Sequence, residues 1–573
     1  MVGALSKGGN MALTRLNVSL LQGGGQAGMP FIGQFVPVTR YMKASDNEDI
    51  TFAIERAIAA GEKNILLPVG TVQWKRTITL TDTSDIRIAG HYGLTYVQTP
   101  VAADATGSAM ITGLVLVRCR RIKLMAFHLD GGYRNVITQK RAVRLVRVQN
   151  CEDVELNGFS CSHAGDWAVS FEGGKNYRAF NYSYHYGEGK EGLWGGRDGL
   201  HFIDCSQVMV NGFYIVSGDD SVGCTVQSVG QNDVTIMNGF VHSKLASGVI
   251  FNEEGKAAYP MKNIRVVNIV ALADMGNYLR NIVRVYTINA GTQINNVHIE
   301  NIQGHSYAEG VWVSGNSTYR AEQVVIRDIN VTTHLNAHGC RIQKCNDVSL
   351  SGYATTLSES STLFDGWHIE DVDGLTADCL ESRDAAYYGI NMLRVTNFYL
   401  YGRTRNCGRN QYVNNRGGSL LLNACSNGKI FGQFLGEADA TYAPLSWSGN
   451  NDNVRFEPGT IFTGREVPPL RGMGNIEAPD VYAAFKFNNG SLAFGEKQGC
   501  DITTEGNAIV VTYNTARRST YYDVDIRAYH VGKECNVSLV TINQNQVKFK
   551  VLDSAGGELN LVERVVVEVH QTL

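Results

Sequence analysis

The sequence predicts an all-β solenoid, and three observations lead there. Glycine is abundant and proline scarce, 62 against 10 in 573 residues. Valine, isoleucine, asparagine and threonine are plentiful, and long 3.6-residue periodicity is almost absent. Beyond about residue 110 a short pattern recurs: a polar turn, an alternating strand, an Asn or Asp, then an apolar residue.

The recurrence can be aligned. "QNCEDVELNGFSC" (149–161), "IDCSQVMVNGFYI" (203–215), "GQNDVTIMNGFV" (230–241), "MKNIRVVNIVAL" (261–272), "INNVHIENIQG" (294–304), "AEQVVIRDINV" (321–331) and "CNDVSLSGYAT" (345–355) share one frame. With Val208, Val234, Ile264, Val297, Val324 and Val348 equivalent, the intervals are 26, 30, 33, 27 and 24 residues. Helical repeats of this length need ten-residue amphipathic stretches, and leucine-rich repeats need an LxxLxL frame; neither is present. A right-handed parallel β-helix fits, each repeat one coil. Cys119, Cys151, Cys205 and Cys345 fall at one repeat position, as in a buried ladder. At about 4.8 Å per coil the rod would be about 60–75 Å long.

Three segments follow in order. Residues 1–44 are expected to be an N-terminal segment, part expression remnant ("MVGALSKGGN") and part truncated virion-proximal chain. Residues 45–465 form the β-helix, opened by a short helix in "SDNEDITFAIERAIAAG" with a capping-box pattern at Ser45 and Glu48. Ile50, Ala53, Ile54, Ala57 and Ile58 line its apolar face, and Gly61 ends it. The two prolines of "EVPPLRGMGN" break the repeat, and residues 466–573 read as a C-terminal β-sandwich. That sandwich would hold chains together, cap the open end or contact carbohydrate.

Several classes are set aside. A net charge of −3 gives no electrostatic ground for nucleic acid or an anionic membrane as partner. No apolar run reaches the roughly 18 residues of a membrane span, and the N-terminus has neither region of a signal peptide. The 12 cysteines are scattered without a CxxC pair, so buried free thiols are expected rather than a zinc site. "GGGQAG" (23–28) matches GxGxxG with no βαβ unit around it, and reads as a loop. No metal or organic cofactor is expected.

One stretch concentrates charge where charge is sparse: "VSGDDSVG" (216–223), with Asp219 beside Asp220. "GRDGLHF" (196–202) places Asp198 21 residues earlier, one coil before. "KLASGVIFN" (244–252) follows one coil later and "NIVRVYT" (281–287) after it, so three carboxylates can converge on one face of the rod. Adjacent strand residues face opposite ways, so Asp219 and Asp220 need a turn or bulge at Gly218 to meet. The bland alternative is a solvated turn. Asp198 and Arg284 in register favour a site.

This series resembles the polygalacturonase family of glycoside hydrolases, whose motifs run NTDG, GDD, GHG and RIK. Asp198 matches the first aspartate, Asp219 and Asp220 the pair, and Arg284 the arginine. Ser247 stands in place of the GHG histidine and Tyr286 in place of the lysine, so the resemblance does not carry galacturonate over as substrate. It implies Asp219 as general acid, with Asp198 and Asp220 positioning and deprotonating water. Inversion would set the carboxyl groups roughly 6.5–9.5 Å apart. Arg284, Tyr286 and Ser247 would touch substrate. Tyr184, Tyr186 and Trp194, in an aromatic insertion before Asp198, could wall the cleft. Trp312 reads as core or rim, His201 as a packing histidine, and Glu253 and Glu254 as turn residues.

The whole chain is similar to bacteriophage tailspikes. That resemblance implies a homotrimeric capsular or surface polysaccharide depolymerase on the virion tail, assembled in the host cytoplasm and joined to a tail or baseplate protein through its N-terminus. A polysaccharide lyase on the same fold and a non-catalytic polysaccharide-binding fibre stay open as alternatives.

Overall fold

The computed structural model describes residues 34–93, 95–98, 111–132, 143–186, 197–254, 259–271, 279–287, 291–334, 337–356, 364–408, 417–435, 445–457, 460–463, 481–488, 491–498, 500–505, 508–513, 522–530, 533–543, 546–553, 556, 559 and 561–571. The expected boundary at 465/466 and residues 1–33 lie outside them.

A parallel β-helix of about 13 turns occupies the chain from Val36 to Thr463. From Leu200 to Ser314 each coil alternates a short strand with a long one. Leu200–Ile203, Val222–Val226, Val249–Glu253, Val283–Tyr286 and Val311–Ser314 stack as one parallel column. Ser206–Ser217, Gln231–Ser243, Met261–Ala271, Ile294–Ser306 and Ala321–Thr333 stack as the other.

The long strands bend at polar residues with left-handed backbone, five apart in each coil: Asp233 and Asn238, Asn263 and Asn268, Asn296 and Asn301. Asn and Asp tolerate that conformation better than other residues with a Cβ. The bends also bond to one another, Asn268 Nδ2 donating to Asn238 Oδ1 at 2.8 Å and Asn301 Nδ2 to Asn268 Oδ1 at 2.8 Å. That ladder is the physical content of the recurring Asn in the sequence.

The repeat alignment holds residue for residue. Val208 pairs with Val234, Val234 with Ile264, Ile264 with Val297, Val297 with Val324 and Val324 with Val348, all buried. Cys119 and Cys151 stack directly, the Cys119 amide donating to Cys151 Sγ at 3.2 Å. Gly174 takes the ladder position in the coil between Cys151 and Cys205.

The helix is Ile50–Ala59, and its buried face is the expected one, Ile50, Ala53, Ile54 and Ala57. Its N-cap is Asp49 rather than Ser45. The Asp49 carboxylate accepts from the Thr51 amide at 3.1 Å, while Ala44–Asp46 is a separate 3-10 turn.

Eight C-terminal strands between Val481 and Gln571 form one continuous antiparallel order. Its two halves, joined through Lys533–Asn543, contribute to one apolar cluster that includes Val511, Phe549, Val565 and Val567. Among the described residues no helix is long and apolar enough to cross a membrane.

Candidate active site

Each coil enters the short-strand column through a corner, most often a residue followed by Gly and an apolar residue: Asp198-Gly199-Leu200, Ser247-Gly248-Val249, Glu309-Gly310-Val311, His338-Gly339-Cys340, Asp365-Gly366-Trp367. Close stacking demands the glycine. A Cβ on Gly248 would lie 2.7 Å from the Ile282 carbonyl oxygen, and one on Gly339 2.6 Å from that of Gly366. Corner amides donate to the next coil, Gly199 N to Asp220 O at 3.2 Å and Gly248 N to Asn281 O at 2.8 Å. Strand register therefore puts Asp198, Asp220, Ser247, Asn281, Glu309, His338 and Asp365 at one corner position in successive coils.

Asp198 stacks on Asp220, with Asp219 one residue ahead in the bend between Ser217 and Val222. Because the pair sits in a bend, both side chains can join Asp198. The three offer carboxylate oxygens all within 4.8 Å of one another. That is tighter than the 6.5–9.5 Å expected for an inverting pair, since adjacent coils are only about 4.8 Å apart.

The bend is pinned from both sides. Asp219 O accepts from Ser217 Oγ and Ser243 Oγ, each at 2.6 Å, and the Gly218 amide donates to Arg197 O at 3.2 Å. Asp220 Oδ1 accepts from the Ser247 amide at 2.8 Å. Ser247 is thus buried and serves through its backbone, not as a side chain facing substrate.

Burial, then the neighbouring carboxylates, pushes Asp198 and Asp220 well above the usual carboxylate range. Asp198 and Asp220, stacked on successive coils, cannot both ionise cheaply, so the pair holds a proton more tightly than free carboxyls do.

His201 belongs to this site, which the sequence reading missed. Its Nδ1 lies 2.5 Å from Asp198 Oδ2 and its Nε2 3.0 Å from Thr225 Oγ1. Trp167 stacks on its ring at 3.8 Å, and Arg144 lies 4.0 Å over Trp167. Burial pulls the imidazole down to about 4, so it is neutral near pH 7 and orients Asp198. Gly223 makes the room: a Cβ there would lie 2.7 Å from His201 Nδ1 and 3.2 Å from Asp198 Oδ2. The signal was the Asp-x-x-His spacing together with the last glycine of "GDDSVG".

Arg284 lies two coils beyond Gly223 on the same row of the column. Its guanidinium sits 3.8 Å from the Tyr286 ring centroid and 4.2 Å from that of Trp312. No carboxylate forms an ion pair with it among the described residues. Burial pulls its pKa down, against the pull of Tyr286, Glu309 and Asp220. A half-buried guanidinium against two rings keeps donors that can hydrogen-bond an anionic or polar group. Trp312 is therefore part of a platform with Tyr286, ring centroids 5.5 Å apart.

The aromatic insertion divides. Tyr186 and Tyr184 are buried, because Tyr182, Tyr184 and Tyr186 alternate onto the core side. Tyr186 is not a cleft wall. Trp194 lies outside the described residues. Glu253 is not a turn residue but the buried last residue of the strand Val249–Glu253, while Glu254 just beyond it accepts from Gln227 Nε2 at 2.9 Å.

No family model matches the chain, and none of the curated proteins matches it. Solved structures similar to it include a mutant tailspike protein of E. coli bacteriophage HK620 in complex with pentasaccharide: 12% identity, 94% of each chain covered, TM-score 0.48. An exopolygalacturonase from Thermotoga maritima is similar at 12% identity, over 70% of this chain and 91% of that one, TM-score 0.37. PfbA, a surface adhesin of Streptococcus pneumoniae, is similar at 12% identity, over 80% and 99%, TM-score 0.37.

Proposed function

We propose that the chain hydrolyses glycosidic bonds of a polysaccharide at the Asp198–Asp219–Asp220 corner. The observation that carries this reading is the convergence of three carboxylates within 4.8 Å, two of them pushed toward the protonated form. Glycoside hydrolysis needs a proton for the leaving oxygen and a carboxylate to activate water, and a proton-sharing cluster supplies both. Asp219 is assigned the donor role, passing to the leaving oxygen the proton that the stacked Asp198 and Asp220 retain. Asp220, held by the Ser247 amide, and Asp198, oriented by His201, receive the water. Arg284, Tyr286 and Trp312 hold the sugar beside the scissile bond, rings against its apolar faces and the guanidinium on its oxygens.

The biological setting follows from the sequence resemblance: a homotrimeric tailspike on a phage tail, acting on a bacterial capsular or surface polysaccharide. Parallel association of rods would cover long sides and exposed ends. Sedimentation should give three times the chain mass, and a single-chain mass at micromolar concentration would refute the trimer.

The test of the chemistry is mass spectrometry of oligosaccharides released from candidate capsules in 18O-enriched water. Hydrolysis incorporates one heavy oxygen per cleavage. Products carrying an unsaturated uronate and no heavy oxygen would replace this reading with a lyase, and intact polysaccharide with retained binding would replace it with a non-catalytic fibre.

A further inference from the structure

The corner pattern Asp-Gly-apolar-His occurs a second time, at Asp365-Gly366-Trp367-His368, six coil positions along the column from Asp198 and about 29 Å away at 4.8 Å per coil. There the preceding coil contributes His338, whereas at Asp198 the acid partner comes from the following coil as Asp220. We propose that His338, Asp365 and His368 bind one divalent transition-metal ion of the zinc class, clamping successive coils.

Donor placement comes first. The three offer ligand atoms within 4.8 Å, and all three residues are buried. His338 Nδ1 and His368 Nδ1 approach the same oxygen, Asp365 Oδ2, at 3.2 and 2.9 Å. A tetrahedral ion with bonds of about 2.0–2.1 Å spaces its donors about 3.3–3.4 Å apart, so these contacts need little adjustment.

Proton accounting comes second. The Asp365 amide donates to His338 Nδ1 at 3.0 Å, so that nitrogen carries no proton, and an ion would take its lone pair by displacing this hydrogen bond. The nitrogen sits 3.2 Å from a carboxylate oxygen.

The surroundings supply a third line. His368 Nε2 faces Glu370 Oε2 at 3.4 Å, the carboxylate backing that orients metal-bound imidazoles. Asp365 Oδ1 accepts from the Tyr388 amide at 3.2 Å, and Oδ2 from Asn391 Nδ2 at 2.8 Å. Asn391 is 5% exposed and its Oδ1 is buried with no hydrogen-bond partner. Rotating its amide turns that oxygen toward the cluster as a fourth donor. The nearby Arg341 cation is directed at Glu309, at 3.5 Å, and at the Trp312 ring, at 5.1 Å. Two imidazoles with oxygen donors suit zinc and its neighbours; calcium and magnesium prefer all-oxygen shells.

The test uses the full chain, freed of metal by chelator, titrated calorimetrically with Zn2+ and followed optically with Co2+. The expected result is one ion per chain, an intense tetrahedral cobalt spectrum, and affinity reduced about 100-fold or more in His338→Gln and in His368→Gln. Asp219→Asn should bind as the parent does. The cobalt spectrum of the parent judges the coordination even if a variant fails to fold. No binding at 100-fold molar excess, a weak octahedral spectrum, or binding lost in Asp219→Asn and kept in the histidine variants would overturn the site and leave His368 and Asp365 as a buried ion pair. None of these outcomes bears on hydrolysis at the Asp198 corner.

Discussion

The Asp198 and Asp365 corners share a local pattern and a backbone, yet their acids titrate in opposite directions. Both aspartates precede a corner glycine, are buried, and face a histidine three residues on. At Asp198 the next coil brings Asp220 and the bend brings Asp219, and burial with like charge pushes the carboxyl up. At Asp365 burial is outweighed by His338 and His368, which hold the carboxyl down at about 2, while His368 rises to about 9 despite its burial. Four residues in sequence set the geometry. The neighbouring coil sets the charge.

The comparison breaks most visibly in turnover. Asp219→Asn should lower kcat about 10²–10⁴-fold by removing the proton donor, with binding kept. Asp198→Asn and Asp220→Asn should be similarly impaired, and double variants should fall well short of multiplying. Asp365→Asn should stay within a few-fold of the parent. Oligosaccharide release from folded protein measures all four.

Stability should reverse that order. In the protein freed of metal, removing Asp365 strands a buried imidazolium, and breaking such a pair costs about 3–5 kcal/mol, read as a lower denaturation midpoint near pH 7. With a folded value near 2, the Asp365 contribution is complete above the unfolded carboxyl value and is lost as pH falls through the folded one. The His368 contribution has the opposite sign, complete below the unfolded imidazole value and lost as pH rises through about 9.

Gly223→Ala should be next in size. A methyl 2.7 Å from His201 Nδ1 displaces the ring that orients Asp198. Misplacement on this scale costs about 10–100-fold in kcat, with KM little changed. Unaltered kcat would remove His201 from the site.

The smallest effect is a gain. Asp220→Asn removes a carboxyl whose raised value costs stability at neutral pH, and its side-chain oxygen still accepts from the Ser247 amide. The variant should melt slightly above the parent at pH 7.5, by about 0.5–2 kcal/mol. The gain should fade as pH drops toward the ordinary carboxyl range, where the parent's acid is protonated in both states. A lower melting point at pH 7.5 would contradict the upward push on Asp220.

Much of this was legible in sequence, and the limit is physical. The coil register could be read from Val208 to Val348 because a shared core forces apolar residues to recur at one position. Asp198, Asp219, Asp220 and Arg284 followed once coils were aligned. Asp49 was hidden because Ser45 and Asp49 are equally good caps by type. Tyr186 was misplaced because strand alternation, rather than richness in rings, decides which side a residue takes. The His338–Asp365–His368 cluster escaped because its histidines are 30 residues apart, far outside local metal spacings, and the alignment followed long strands rather than corners. Spacing rules see along the chain, whereas a solenoid builds sites across it.

The most direct test is infrared difference spectroscopy of the protonated-carboxyl C=O stretch at pH 6, where ordinary aspartates with pKa about 3.9 are ionised. The prediction is a protonated acid in the parent, lost or shifted in Asp198→Asn and Asp220→Asn and unchanged in Asp365→Asn. No protonated carboxyl at that pH, or one that vanishes only in Asp365→Asn, would contradict the claim that stacked acids at the Asp198 corner hold the proton that hydrolysis needs.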